Sequence, residues 1–410
     1  MISYGKSIMI SYMKAQEEEM KKFGIRAVCA AMTAALGMTM MAGCGSKDLD
    51  GTQTVASVNE EEIPLGVASF ALRYQQAQTE YYYKSIYTMY GMDSSQGMWD
   101  QETADGITFG EQTRNECLET LEKMYLTREK AEEYNLTITD EEKSAMDEAA
   151  KTFVESNDAE TLKKIGVTES DVREYMELST YYKKAYEPVI ADVEIEVTDE
   201  EAAQSTLTYA ALTTGNLEED AKKDAYSKME TLLDELKAAE DPASADMDAM
   251  AKELDESFIV TSYSYGEDDT SLDETLKEKA ADLEDGQLYD GVVEGDSSYF
   301  LVRMDQKLDQ EATDSKKESI KKEKQQEAFD EIVQGWYDEA DITRNKKVWK
   351  KVTLTDKESF SMVTPEATDS SDTDTQGISD DENAGNGTET GGDDGAEDTK
   401  DQGTDNEAAE

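Results

Sequence analysis

Apolar and aromatic residues recur every three or four positions along several long segments of the chain. This spacing places them on one face of a helix, and it predicts helices over residues 66–90, 111–135, 169–186 and 315–340. The first of these faces consists of Val67, Phe70, Tyr74, Ala77 and Tyr81. Because a helix with one apolar face needs a packing partner, we expect these helices to pack against one another.

Threonines mark the beginnings of further helices. Thr139 and Thr198 are each followed three positions later by a glutamate, which is the capping-box pattern. Thr168, with an aspartate in the glutamate position, is a weaker version of it.

Short runs rich in β-branched and aromatic residues alternate with the helices. The first lies at residues 55–59. Later runs at residues 207–212, 258–263 and 298–303 alternate with helical patterns over residues 218–239, 245–254 and 272–283. This β-α-α-β-α-β order is typical of a small α+β domain.

Residues 348–354 contain the last apolar pattern and predict a final strand. Since a lone short strand is unstable, we expect it to pair with residues 55–58. The helix over residues 315–340 would then pack against the N-terminal helices. The predicted fold class is α+β and mainly helical, with the smaller α+β domain inserted.

The N-terminus has the pattern of an export signal. Lys21, Lys22 and Arg26 precede an apolar run over residues 27–42, which is shorter than the roughly 20 residues of a membrane-spanning helix. The run ends at Cys44, in a setting that resembles a bacterial lipobox. We therefore expect residues 1–43 to be a signal peptide, with residues 1–19 a possible over-extended start, and residues 44–54 to be a linker lipidated at Cys44.

Composition excludes several classes of function. The formal net charge is -55, which does not suit a nucleic-acid binder because phosphate contacts need a basic surface. Histidine is absent, so catalysis by histidine and His-ligated metal sites are excluded. Cys117 is the one cysteine expected to keep a free thiol, since Cys29 leaves with the signal peptide and Cys44 takes the lipid. It lies at helical spacing among apolar residues, which favours a core position. We expect no cofactor and no metal.

The C-terminal segment, residues 358–410, differs from the rest in composition. From Glu366 onwards it holds sixteen acidic residues, one lysine and no aromatic residue. Such a segment cannot bury enough apolar surface to offset its ordering entropy, so we predict a disordered tail.

Three motifs resemble the SurA/PrsA-like extracytoplasmic foldases. Residues 58–63 read Val-Asn-Glu-Glu-Glu-Ile and resemble the family's opening Val-Asn-Gly-x-x-Ile turn, with Glu60 in place of glycine. Residues 118–142 resemble its long helix followed by Thr-Asp-Glu-Glu, with Asn135 and Leu136 where a Gly-Ile pair is common. Residues 207–304 resemble a parvulin-type prolyl isomerase domain.

The resemblance implies a domain layout and a function. It implies a SurA-like helical chaperone domain over residues 55–204, a parvulin-like domain over residues 205–306, and a helix and strand over residues 307–357 that return to the helical domain. The expected function is a foldase or chaperone, lipid-anchored on the extracytoplasmic face of the cell membrane. Its expected partners are unfolded or nascent exported polypeptides.

The expected enzymatic activity is uncertain because the parvulin-like domain is degenerate. The resemblance implies one histidine on the first strand of an active parvulin domain and a second histidine on its last strand. Here Tyr209 and Ala210 stand at the position of the first histidine, and Phe300 stands at the position of the second. These three residues are the candidates for a reduced catalytic site, with weak or no isomerase activity.

Tyrosines on the first long helix are the candidate client-binding residues, because they combine apolar contact area with a polar tip. They are Tyr74, Tyr82, Tyr83, Tyr87 and Tyr90. Packing inside the helical domain is the competing interpretation for most of them.

Three other functions compete with the chaperone. One is an active parvulin-type isomerase. The others are a solute-binding lipoprotein, which would show repeated βαβ units, and a surface scaffold.

Overall fold

The computed structural model describes residues 36–37, 48–89, 97–357 and 360–362. The predicted signal cleavage site, Cys44, Tyr90 and residues 363–410 of the predicted tail lie outside these residues. The predicted start of the tail at residue 358 is too early, because Phe360 is fully buried in a helical core and Ser361–Met362 form a strand.

The described residues form an α+β fold that is mainly helical, as the sequence predicts. The helices are α1 (Leu65–Met89), α2 (Phe109–Glu129), α3 (Asp140–Ser156), α4 (Ala159–Ile165), α5 (Glu169–Val189), α6 (Asp199–Ala202), α7 (Glu219–Ala238), α8 (Met247–Leu254), α9 (Glu274–Ala281), α10 (Gln310–Glu339) and α11 (Lys346–Trp349). The strands are β1 (Leu36–Gly37), β2 (Thr54–Val58), β3 (Glu61–Pro64), β4 (Ser205–Thr213), β5 (Ile259–Tyr265), β6 (Val293–Glu294), β7 (Ser298–Gln306), β8 (Ile342–Arg344) and β9 (Ser361–Met362).

Helix starts follow the threonine pattern. Thr139 and Thr168 form complete reciprocal capping boxes at the starts of α3 and α5. Thr198 accepts a hydrogen bond from the Glu201 N–H, but α6 that follows is only 4 residues long. The helix start predicted at Thr198 is therefore confirmed, but the helix ends at Ala202. The reason is that β4 begins at Ser205 and takes the chain into a sheet.

A small sheet joins the two ends of the folded chain in the order β3-β2-β8. The β2–β3 turn contains Asn59 at φ 52°, a left-handed conformation that asparagine tolerates better than most residues. The side-chain oxygen of Asn59 also accepts the N–H of Asp341 at 3.0 Å. Asn135 is left-handed too, at φ 55°, which explains how it can stand where the resemblance has glycine.

The strand that returns to β2 is not the predicted one. β8, at Ile342–Arg344, pairs antiparallel with β2, whereas Val348 and Trp349 belong to the short helix α11. Val348 and Val352 are four residues apart, so both face the core from helix-like turns. Both are buried there beside Val55, Leu118 and Leu121.

A buried ion pair fixes this C-terminal return. The side chain of Glu122, on α2, has no exposed surface. It accepts two hydrogen bonds from the Arg344 guanidinium, at 2.8 and 2.6 Å, and one from the Tyr337 hydroxyl at 3.0 Å. Burial and the nearby Glu122 carboxylate raise the pKa of Tyr337 to about 12.

The C-terminal half of α10 packs on the N-terminal helices. Phe329 and Val333 are buried with Leu136, Ala185 and Val189. The Phe329 ring meets Tyr182 edge-on, with ring centroids 5.3 Å apart.

The N-terminal half of α10 is polar and is held by ion pairs. Lys317 pairs with Asp199, and Lys324 pairs with Glu201 at 2.9 Å. Both lysines belong to a basic cluster over residues 316–324, which the sequence interprets either as a solvated helix face or as a surface that docks on acidic residues of the body. For Lys317 and Lys324 the second interpretation applies, because the region of α6 presents its carboxylates to them.

A second sheet lies between α6 and α10 in the chain and has the order β5-β4-β7-β6. All its pairings are antiparallel. Helices α7 and α8 cover one face, with Ala210, Leu212 and Leu301 in that core. Helix α9 covers part of the other face, over Leu207, Val302 and Met304.

None of the helices in the described residues combines the length and apolar character needed to cross a membrane.

We predict that the Glu122–Arg344 pair is a major source of stability. The substitution Arg344→Met leaves a fully buried carboxylate without its cation, which should lower the free energy of unfolding by about 3 kcal/mol. Urea denaturation measures this change. The control is Lys143→Met, which removes a solvent-exposed pair with Asp140 at 3.5 Å and should cost less than about 0.5 kcal/mol. Equal losses in the two variants would contradict the prediction.

Candidate functional site

The structure brings together two of the three candidate residues of the parvulin-like domain. Tyr209 on β4 and Phe300 on β7 meet edge-to-face, with ring centroids 5.8 Å apart. Both side chains lie on the α9 side of the sheet, because Tyr209 is opposite Val302 and Ala211 is opposite Phe300. Ala210 points to the other face, where it is fully buried under α7 and α8.

Helix α9 covers only part of its face of the sheet. Four aromatic side chains pack partly buried against the α9 core, and we call them the aromatic sheet face. They are Tyr209, Tyr263, Tyr289 and Phe300. At the far end of β5, Ile259 is 58% exposed. The face therefore offers aromatic and aliphatic area to a ligand without any rearrangement of the core.

A carboxylate holds one edge of the aromatic sheet face in place. The Tyr263 hydroxyl donates to Asp269 at 3.0 Å, and the N–H groups of Ser271 and Leu272 donate to the same carboxylate. Burial alone would raise the pKa of Asp269, but these donors outweigh it and keep the pKa below its usual range. Burial and the hydrogen bond to Asp269 raise the pKa of Tyr263. Asp269 is thus an ionised acceptor at neutral pH that orients Tyr263.

A glycine allows the close packing at the other edge. A Cβ placed on Gly295 would lie 2.6 Å from Cε2 of Phe300 and 2.7 Å from Oδ2 of Asp273. Asp273 caps α9 by accepting the Leu276 N–H at 3.2 Å. Gly295 therefore sets the distance between the Phe300 ring and the start of α9.

The aromatic sheet face combines apolar rings with hydroxyl groups. Three of its four aromatic side chains carry a hydroxyl group and Phe300 carries none, and the chain has no histidine to act as an acid or base near neutral pH. In the part of the chain that the structure describes, no cluster of acidic or cysteine side chains has the arrangement of a metal site.

The candidate client-binding tyrosines of α1 occupy two environments. Tyr74 packs on Phe70 and Tyr175 at the side of a helical core, with both ring centroids 6.1 Å away. Tyr83 contacts Tyr82 and Tyr87, with ring centroids 5.7 and 6.1 Å away, respectively. Burial, with the neighbouring Tyr87 and Tyr82, raises the pKa of Tyr83. The segment that follows α1, including Tyr90, lies outside the described residues.

The sequence does not identify two parts of this surface. The sequence places Tyr263 and Ile259 only in a strand, because their partners Leu207 and Ala211 on the sheet lie about fifty positions away in the chain. The one available signal was alternation in residues 259–265, which places Ile259, Thr261 and Tyr263 on one face.

Comparisons with known proteins match the chain to solved structures alone. No family model and no curated protein matches the chain. Solved structures that resemble it are the foldase PrsA from Lactococcus lactis (14% identity, 72% of this chain and 96% of that chain, TM-score 0.31) and PrsA from Streptococcus pneumoniae (17%, 61% and 97%, 0.27). The peptidylprolyl isomerase PrsA from Bacillus cereus is similar at 20% identity, 61% and 95% coverage and TM-score 0.24. TM-scores of this size do not establish a shared fold, so the contacts of the chain itself must support any function.

We predict that Cys117 is inert in the folded protein. Its side chain is buried in the helical core, as expected from the sequence, and burial raises the pKa of the thiol to about 12. The reactive thiolate is therefore scarce at pH 8. Mass spectrometry after treatment with an alkylating reagent should find Cys117 unmodified in native protein and modified in urea. Rapid labelling of native protein would contradict this.

Proposed function

We propose that the chain is a foldase or chaperone that holds unfolded exported polypeptides at the extracytoplasmic face of the cell membrane. The observation that supports this most directly is the partly open aromatic sheet face around Tyr209 and Phe300. Aromatic rings bury a large area with little loss of side-chain entropy, which suits contact with clients of varied sequence. Tyr82, Tyr83 and Tyr87 on α1 supply a second aromatic surface of the same kind.

The absence of histidine favours holding over fast catalysis. A binding surface needs no proton transfer, and the rings at the degenerate parvulin positions Tyr209 and Phe300 form one continuous contact. Prolyl isomerisation also needs no general acid, so a parvulin-type isomerase of low activity is the second candidate. The observation that favours it is the meeting of these two rings at the place where the resemblance has its pocket.

The other two candidate functions have less support. A solute-binding lipoprotein with repeated βαβ units would contain parallel strand pairs, whereas every pairing among the described strands is antiparallel. No surface among the described residues favours a scaffold over a chaperone.

Membrane attachment is the part of the proposal that depends on sequence alone. A basic segment, an apolar run and small residues before Cys44 are the supporting pattern. A lipid on Cys44 would keep the described body beside the membrane, where exported chains emerge unfolded.

We predict that truncating Phe300 weakens client binding more than truncating its neighbour. Phe300→Ala removes a ring from the aromatic sheet face. Tyr299→Ala is the matched control, because Tyr299 is also partly buried and pairs edge-to-face with Tyr226 at 5.4 Å, but on the opposite face. Each should lower the free energy of unfolding by about 2 kcal/mol. Only Phe300→Ala should raise, by several fold, the chaperone concentration that prevents aggregation of an unfolded test protein.

A prolyl isomerisation assay on the same proteins separates the two candidate functions. Suppression of aggregation without measurable isomerisation supports the chaperone. Fast isomerisation that Phe300→Ala abolishes would support the enzyme instead. Equal effects of both variants on aggregation would argue against the aromatic sheet face.

We predict that Cys44 carries the lipid. Metabolic labelling with a fatty-acid analogue should mark the wild-type chain, and Cys44→Ser should lose the label and leave the membrane fraction. Cys117→Ser is the control and should keep the label, since that thiol is buried in the folded body. Equal labelling of Cys44→Ser and wild type would refute lipidation at this site.

A further inference from the structure

Strand β5 is an open edge of the second sheet. It pairs with β4 along its whole length, and no strand lies on its outer side in the part of the chain that the structure describes. An open edge presents unpaired backbone N–H and C=O groups that can pair with another chain. Natural proteins usually protect such an edge against pairing with other chains.

The edge has none of the usual protective features. The sequence of β5 is Ile-Val-Thr-Ser-Tyr-Ser-Tyr, with no charged residue and no proline. Its register with β4 runs without a shift from Ser205–Tyr265 to Ala211–Ile259, so no bulge distorts it. Natural edge strands are usually short or carry lysine, proline or a bulge. β5 is 7 residues long and retains the geometry of a strand that can accept a neighbour.

The ladder identifies which backbone groups face outwards. On β7, the C=O of Val302 and both backbone groups of Met304 bond to segments on the side away from β4. In an antiparallel pair the bonding direction alternates, so Leu207, Tyr209 and Ala211 of β4 direct their backbone groups towards β5. Their partners Tyr263, Thr261 and Ile259 bond inwards. The outward groups are consequently those of Val260, Ser262 and Ser264.

One end of this edge opens into a groove. A cavity of about 540 Å³ lies beside Ser264 and the first turns of α10. Its charged lining residues are Asp309, Glu311 and Lys316. An added strand could therefore continue past the end of β5 into a polar groove with a negative balance of charge.

Charge argues against a second copy of this chain as the occupant. Exposed acidic residues flank both ends of β5: Glu256 before it, and Glu267 and Asp268 after it. Antiparallel pairing of two β5 edges would place the Glu256 end of one copy against the Glu267 end of the other. Like charges so placed repel, and the net charge of -55 on each chain adds to the repulsion. An extended segment flanked by lysine or arginine would be attracted instead.

We propose that the outer edge of β5 binds an extended segment of an unfolded polypeptide by strand addition, with a preference for alternating apolar residues flanked by basic ones. This deepens the proposed chaperone function and rests on it for the identity of the client. Backbone pairing supplies sequence-tolerant affinity. Ile259 and Thr261 point to the face that carries Tyr209 and Phe300, so apolar side chains of the added strand would extend that face.

The test uses the full chain and a short synthetic peptide of alternating valine and threonine between pairs of lysines. Peptide binding should slow amide hydrogen exchange at Val260, Ser262 and Ser264. N-methylation of the peptide residues that bond to β5 should weaken binding by at least about tenfold, since several hydrogen bonds are lost. N-methylation of the alternate residues is the matched control and should change it little. Replacing the lysines by glutamates should abolish binding, and added salt should weaken the lysine peptide.

Two variants of the chain test the edge directly. Ser262→Pro removes an outward N–H, which an edge strand tolerates, and Ser262→Lys introduces the usual edge charge. Both should lose peptide binding while keeping the urea midpoint near that of wild type. If Ser262→Pro does not fold, Ser262→Lys and the N-methylated peptides still test strand addition at β5.

The outcomes separate this inference from the proposed function. Unchanged exchange at β5, or equal binding of both N-methylated peptides, overturns strand addition. So does sedimentation that shows a dimer lost in Ser262→Pro, because a second copy is then the occupant. If Phe300→Ala impairs aggregation suppression and Ser262→Pro does not, the chaperone stands and strand addition falls. Peptide binding at the edge without any aggregation suppression would support the site and reject the chaperone.

Discussion

The arrangement of the helical part depends on one buried carboxylate. Glu122 has no contact with solvent, and an isolated charge in that position would be strongly destabilising. The Arg344 guanidinium satisfies both of its oxygens, and Arg344 reaches it only because β8 pairs with β2. The same geometry sets the end of α10, where Tyr337 donates to Glu122. A polar requirement in α2 therefore determines where a segment more than two hundred residues later must lie.

This constraint has a consequence for the segment between β4 and β7. The chain leaves the helical part after α6 and returns through α10, so the second sheet is connected at both of its ends. Lys317 and Lys324 tie the polar half of α10 to Asp199 and Glu201, while Phe329 and Val333 anchor the apolar half. The Ser205 hydroxyl donates to the Lys307 carbonyl at 2.8 Å, which holds entry and exit together. The first strand, β4, and the last strand, β7, therefore pair at the centre of the second sheet, and β5 lies at its edge.

The sequence predicts the long helices and the succession of β4, β5 and β7 along the chain, because strong local periodicity specifies them; the order of strands within the sheet and the short strand β6 are not predicted. It fails where the deciding contact is distant. The three residues of β8 carry no apolar alternation, and Arg344 is explained only by Glu122. Residues 348–354 predict a strand because Val348, Val352 and Leu354 lie at even spacing, although the four-residue step from Val348 to Val352 also fits a helical turn. Of the three candidate residues, Tyr209 and Phe300 lie on the same face of the sheet. Ala210 faces the other core, because successive side chains of a strand point to opposite faces. Signal cleavage, lipidation and the nature of the tail concern residues that the structure does not describe, and these remain predictions.

The aromatic sheet face and the β5 edge together give the proposed chaperone function a physical basis that needs no histidine. A catalytic pair of histidines would require polar surroundings at the centre of the sheet. Rings at Tyr209 and Phe300 instead make that centre apolar, with the Asp269 carboxylate kept at the rim by Tyr263. The backbone groups of Val260, Ser262 and Ser264 lie along the adjoining edge. An extended chain laid there would pair through its main chain and place alternate side chains over the rings. Under the proposed function, such a surface would distinguish unfolded from folded polypeptides, because only an unfolded chain can offer free backbone groups and apolar side chains at once.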